Sequence, residues 1–319
     1  MESPEFITNK TFLGIEIGGT KLQLVTGTAD GNILSKHRLD INRDQGAEGI
    51  KLAIEGTIRK NYIGKVQAVG IGFGGPVNFK TGQIATSFHI EGWSQFNFVE
   101  WLQPIVNAPV FLENDANVAA LGEAIHGAGK RYDLVLYITI GSGVGGGLVV
   151  DKEIYHGAIP GEVEIGHIRM NKEGDTFQSR CSGWAIDEKI RKAIGKNPNS
   201  LLSKLAGNEN RGEARFLKKA MEQNDPEALQ LFDSTIDDLA YGLSHTIHLF
   251  HPQVIILGGG FSLIGQILEE HIQKRIPAYL MEAFHPGPSI KLAGLKEDAV
   301  PVGAILLAHQ NFSKSKINK

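Results

Sequence analysis

The chain has 319 residues, 42% hydrophobic and 21% charged, with a formal net charge of −3. That length exceeds one typical domain, so two lobes are expected, each with its own core. The near balance of 32 basic and 35 acidic residues excludes a global field that favours nucleic acid, and a single cysteine, Cys181, excludes an internal disulfide framework and suits a reducing cytoplasm.

The acidic opening stretch Met1-Glu2-Ser3-Pro4-Glu5 does not read as a signal peptide. The longest apolar runs, such as Leu134 to Ile140, are too short to span a bilayer, so a cytoplasmic protein without a membrane partner is expected. Lys314, Lys316 and Lys319 read as a solvated tail.

The first element is an apolar strand that runs into Gly18-Gly19-Thr20-Lys21 and is followed by a second strand, Leu22 to Thr28. A tight turn at Asp30-Gly31 leads to a third. Gln45 to Lys60 has helical character, and Val66 to Gly72 reads as a buried strand ending in Gly74-Gly75-Pro76. Phe111-Leu112 ends another short strand. Glu113-Asn114-Asp115 follows it directly, and Ala116 to His126 carries strong helix formers, which sets Asp115 at a strand-to-helix junction of the kind where open α/β sheets bind ligands.

The second half repeats the opening pattern. Ile138-Thr139-Ile140-Gly141-Ser142-Gly143 joins two strands, and a turn at Asp151-Lys152 precedes a third. The chain is then mainly helical from Ile186 to Phe250. Gln253 to Leu257 is a compact strand entering Gly258-Gly259-Gly260, a helix starts near Leu263, and Val302 to Gln310 is helical. Strands alternating with helices in both halves predict an α/β architecture with mixed sheets.

Glycines at the two strand turns leave backbone N–H groups uncovered, and such a row makes a concavity for phosphate oxygens. Thr20 and Ser142 add hydroxyls and Lys21 a charge, so the duplicated pair predicts a nucleotide held from two sides of a cleft. Gly258 to Gly260 suits either an adenosine or close packing of helix and strand. Asp115 is the candidate general base for phosphoryl transfer to an alcohol, with Asn114 beside it to fix the acceptor; the alternative for both is helix capping. In Gly161-Glu162-Val163-Glu164-Ile165-Gly166-His167, an extended backbone would put Glu162 and Glu164 on one side, where carboxylates and an imidazole can read a polyol; solvated loop charges are the alternative. His245, His248 and His251 recur every third residue, a spacing that fits polar helix positions better than a metal site.

Taken together and in this order, these motifs resemble the ROK family (repressor, open reading frame, kinase) from about Phe12 to Gln310. The resemblance implies a two-lobed actin-like ATPase (ribonuclease H-like) fold, α/β with mixed sheets, with a smaller lobe at 1–117 completed by a helix from 300–319 and a larger lobe at 118–299. It implies a glucokinase-like kinase that uses ATP and Mg²⁺ on a hexose or hexose derivative, with Asp115 as base. By the same resemblance Gly75, Asn114, Glu164 and His167 contact sugar, Gly18, Gly19, Thr20, Lys21, Thr139, Gly141, Ser142 and Gly143 hold phosphates, Gly258 and Gly259 contact adenosine, and the protein is a homodimer. A sugar-responsive regulator or a non-catalytic sugar-binding protein is the alternative. With about ten residues ahead of the first strand, no helix-turn-helix domain is expected.

Three positions depart from the family pattern. Glu16 stands where Asp is usual, which implies a water-mediated contact to Mg²⁺. Ser179-Arg180-Cys181-Ser182-Gly183-Trp184 replaces a CxCGxxGC motif that joins the His of the Glu-Ile-Gly-His segment in a zinc site, so no structural zinc is expected, and neither Asp187 nor Glu188 is a secure counterpart of a following sugar-binding glutamate. Ile159-Pro160 replaces the usual Asn-Gly, which stiffens that loop.

Overall fold

In the computed structural model, the described residues are 11–18, 21–87, 90–161, 163–207 and 209–317. The chain divides into two compact units: the first takes residues up to 127, 152–162 and from 297 onward, the second 128–151 and 163–296.

The first unit is built on β1 (Phe12–Ile17), β2 (Lys21–Gly27), β3 (Ile33–Asp40), β4 (Val69–Phe73) and, after the two-residue strands β5 (Val77–Asn78) and β6 (Gln83–Ile84), β7 (Val110–Asn114). The sheet order is β3-β2-β1-β4-β7, antiparallel across β3, β2 and β1 and parallel from β1 through β4 to β7. All six residues of β1 are buried, as expected for a central strand covered on both faces. Leu13, Ile15 and Ile17 share a core with α1 (Gly46–Asn61) and α2 (Phe98–Val106). The helix α1 exists because Ala47, Ile50, Ile54 and Ile58 fall at three- and four-residue spacing and form one buried stripe.

Glycines line the opposite face of that sheet at its centre. Gly14 pairs with Gly70 and Glu16 with Gly72, and against them lies α10 (Ala299–Ile317), which packs in turn on α3 (Asp115–Ile125). A Cβ on Gly70 would stand 2.0 Å from the Ala304 carbonyl oxygen, and one on Gly303 would stand 1.8 Å from that of Val118. Residues 118–127 therefore group with the first unit, since α3 cannot be separated from α10. Residues 152–162, which include β10 (Glu153–Ile154), are held there too. Lys152 donates through Nζ to the Ala124 carbonyl (3.0 Å), Gln310 Nε2 donates to the Lys152 carbonyl (2.9 Å), and Lys314 pairs with Glu153.

The second unit has β9 (Val144–Val150), β8 (Leu134–Ile140), β11 (Val254–Gly258) and β12 (Ser289–Leu292) side by side in that order. β8 and β9 are antiparallel, whereas β8, β11 and β12 are parallel, so the arrangement repeats β2-β1-β4-β7. Its core gathers Leu136, Ile138, Ile255 and Leu257 with residues of α4 (Phe177–Cys181), α5 (Gly183–Lys196), α6 (Leu201–Ala206), α7 (Leu217–Glu222), α8 (Pro226–Phe250) and α9 (Gln266–Arg275). The 25-residue α8 begins where Asp225 accepts from Ala228 N and Pro226 fills the first turn. Among the described residues, no helix is long and apolar enough to cross a membrane.

Candidate active site

In the first unit the parallel register sets Ile17, Phe73 and Asn114 side by side, so the residues that follow them, Gly18, Gly74 and Asp115, emerge at one sheet edge. This is the carboxyl end of the strands, where open α/β sheets bind ligands. Gly74 N donates to the Ile17 carbonyl at 3.1 Å, and a Cβ on Gly74 would lie 3.3 Å from Asp115 Oδ2. The Asp115 carboxylate therefore sits over Gly74, next to the end of β1.

The capping expected of this segment is realised on Asn114. Asn114 is the N-cap: its Oδ1 accepts from Ala116 N (2.9 Å) and Asn117 N (3.2 Å), while its Nδ2 donates to the Gly75 carbonyl (3.1 Å). The amide that the sequence offers to a ligand is thus locked in orientation by the protein, and Gly75 is fixed with it. Asp115, the first helical residue, is half-buried at the N-terminal end of α3.

At the β1–β2 turn, Gly18 N donates to the Lys21 carbonyl at 3.0 Å. Its N–H is therefore engaged within the turn, contrary to the uncovered donor expected there. Gly19 and Thr20 lie outside the described residues, as does Glu162. Glu16 is 9% exposed; Oε2 accepts from Gln23 Nε2 at 2.7 Å and Oε1 pairs with Lys21 Nζ at 3.3 Å. Burial holds this carboxyl above its ordinary range, with Lys21 and Gln23 acting in the other direction.

In the second unit, Gly141 N donates to the Gly143 carbonyl (2.9 Å) and Gly183 N to the Gly141 carbonyl (2.7 Å), so the turn is braced by the start of α5. Here too the N–H of the first glycine closes the turn. Around Gly141 a Cβ would meet nothing within 4 Å, and Ser142 is exposed. Gln178, which the sequence does not single out, accepts from Val144 N at 3.0 Å and lies where a Gly143 side chain would be. Gly258 pairs with Thr139, and Gly259 adopts φ +80° with its Cα against the Ile140 backbone, where a Cβ would come within 2.5 Å. A Cβ on Gly258 would strike the Tyr137 ring. Packing alone requires glycine at both positions, and it brings them to the edge that carries Thr139 to Gly143.

The segment carrying Glu164 and His167 is not extended. Val163 takes φ +54°, Glu164 caps a 3₁₀ turn at Ile165–His167, and His167 N donates to the Glu164 carbonyl at 3.0 Å. The three-residue repeat of that turn eclipses Glu164 with His167. Both are exposed.

Cys181 is fully buried in the apolar core, and burial pushes its thiol up, away from the thiolate a metal requires. His167 is exposed, so these two residues do not fit the zinc site that the family pattern implies. Among the described residues no three His, Cys, Asp or Glu side chains are grouped to hold a metal. Asp187 accepts from Gly212 N and Ala214 N, and Glu188 pairs with Lys192. On α8, His245 and His248 face carbonyls of their own helix through Nδ1, and His251 stacks on Phe284 with centroids 3.9 Å apart.

The ROK family model matches residues 12–311. The chain belongs to the ROK family. This ROK protein is 32% identical to a glucokinase of Thermotoga maritima, with 92% of this chain and 95% of the relative aligned. Among solved structures it is similar to a ROK family glucokinase from Streptomyces griseus in complex with glucose and AMPPNP, at 30% identity and a TM-score of 0.80, covering 94% of this chain and 99% of the other. A ROK hexokinase from Thermus thermophilus matches with 26% identity and a TM-score of 0.79 over 95% and 99% of the two chains. The architecture is the two-lobed actin-like ATPase fold, α/β with mixed sheets, of these ROK structures.

Proposed function

We propose that Asp115 is the general base of this ROK protein, an ATP-dependent sugar kinase, and that it takes the proton from a hexose hydroxyl as that oxygen bonds to the γ-phosphorus of ATP. The bond from the γ-phosphorus to the bridging oxygen breaks, and ADP leaves. Phosphoryl transfer asks the protein for positioning and charge neutralisation more than covalent chemistry, so one well-placed carboxylate suffices as base. The observation that carries the reading is Asp115 Oδ2 packed over Gly74 at the strand edge where the β1–β2 turn emerges.

In this reading Gly75, Asn114, Glu164 and His167 contact the sugar. Gly18, Gly19, Thr20 and Lys21, together with Thr139, Gly141, Ser142 and Gly143, line the phosphates, and Gly258 and Gly259 face adenosine. Glucose is the first candidate substrate, since similar proteins are glucokinases and one of them holds glucose with AMPPNP. Mg²⁺ binds through one or two carboxylates, phosphates and waters. Glu16 fits that role through water, because Lys21 and Gln23 already engage its two oxygens; the ion would neutralise phosphate charge. The same reading takes the protein as a cytoplasmic homodimer.

Coupled ADP release on a panel of glucose, mannose, fructose and N-acetylated hexosamines tests the proposal. ADP formation that depends on one hexose supports it. Sugar binding without ADP release on any member favours the non-catalytic alternative, and specific DNA retention at physiological salt favours the regulator.

A further inference from the structure

We infer that His156 is a positioning residue for phosphoryl transfer, acting through the buried Glu113 to fix the start of α3. The inference rests on the reading of Asp115 as base.

Glu113, 3% exposed near the end of β7, uses both of its oxygens. Oε1 accepts from the backbone N of Asn114 (2.8 Å) and from Asn117 Nδ2 (3.1 Å), whereas Oε2 meets His156 Nε2 at 2.7 Å. An ionised carboxylate only accepts, so the imidazole nitrogen carries the hydrogen in this contact. One side chain thereby grips the peptide immediately before Asn114, a neighbouring residue of the first turn of α3, and a ring 43 positions away. Any rotation of Glu113 reaches the base across a single peptide unit.

His156 is itself held in place. Its ring stacks on Phe79 with centroids 3.8 Å apart and planes at 18°. The segment behind it is tied to α3 and α10 through Lys152 and Glu153. Removing the imidazole leaves Oε2 in a buried position without this donor, and a buried carboxylate that loses a partner reorients or takes up water or a proton. Reorientation of the carboxylate loosens Oε1 from Asn114 N. Misplacement of a reacting group by a fraction of an ångström costs turnover before it costs nucleotide affinity.

The test is steady-state kinetics and thermal unfolding of the full chain carrying His156→Ala or His156→Gln, with Asp115→Asn in parallel. For His156→Ala the expected result is a loss of about tenfold in kcat with KM for ATP within about twofold of the parent. His156→Gln should recover most of kcat, because its carboxamide nitrogen reaches where Nε2 stands. A His156→Ala protein with unchanged kcat overturns the inference, as does a His156→Gln protein no better than His156→Ala. If Asp115→Asn keeps its turnover, the base assignment fails and this inference goes with it. Unchanged kinetics in His156→Ala beside an inactive Asp115→Asn overturn the positioning role alone.

Discussion

Replacing Gly303 with Ala should destabilise the first unit, although Ala is the better helix former. Gly303 lies in α10 against α3, and a Cβ there would stand 1.8 Å from Val118 O, 2.7 Å from its carbonyl carbon and 2.9 Å from Val118 Cγ1. The nearest atoms are main chain, so no rotamer change relieves the clash, and α10 must withdraw from α3 by roughly 1 Å or more. Overpacking of this kind typically costs about 1–3 kcal/mol, with the rigid backbone oxygen placing this case near the top, whereas the helix-propensity gain is about 1 kcal/mol. The net expectation is a loss of about 2 kcal/mol. Gly56 in α1 provides the opposite case: it is exposed, with nothing within 4 Å of where a methyl would stand, so Gly56→Ala should gain about 0.5–1 kcal/mol. Urea unfolding followed by far-UV circular dichroism compares the midpoints, with the slope checked for constancy. A Gly303→Ala protein as stable as the parent would refute the close α3–α10 seam.

Gly141→Ala meets open space, so its unfolding midpoint should match the parent, while KM for ATP rises by about tenfold if phosphates approach this backbone; parallel melting and kinetics separate the two. Glu16 has a carboxyl raised by burial, so its ionisation opposes folding: the relative stability is fully present below its ordinary value of 4.5 and is lost as pH rises through the higher folded value. Glu16→Gln should therefore raise the melting temperature at pH 7, with the gain disappearing below the ordinary value, as a pH series of thermal scans would reveal. Asp175 behaves in the opposite sense. The hydrogen bond from Arg180 holds its carboxyl below the ordinary range, so the pair stabilises above that range and the effect fades as pH falls through the lowered value. Arg180→Ala should lower the melting temperature slightly at pH 7 and less in high salt, because the pair is solvent-screened.

Much of the architecture is legible because the central strands are continuous apolar runs and their ends carry punctuation. β1 and β8 are read from such runs, and Asn114 marks the start of α3 by cap chemistry. Long-range pairing is what hides the rest. Gly14, Gly70 and Gly72 look like weak points in separate strands until the register aligns them beneath α10. Glu113 resembles one more polar residue before a helix, and nothing local indicates that His156 closes on it. The 163–167 segment misleads for a tertiary reason. Gly146 packs against Val163, whose carbonyl a Cβ there would approach to 2.9 Å, and Val163 takes a left-handed conformation that alternation of polar residues cannot foretell. α2 contains Pro104, a residue that obscures helical periodicity, yet it is bounded by Asn97 as N-cap and Asn107 in αL.

The role of Asp115 is tested most directly by pairing calorimetric titration of the sugar with coupled ADP release for Asp115→Asn. If Asp115 is the base, sugar affinity stays close to that of the parent and turnover falls by on the order of 10²- to 10⁴-fold. Turnover near the parent's, with sugar bound equally well, would contradict that role.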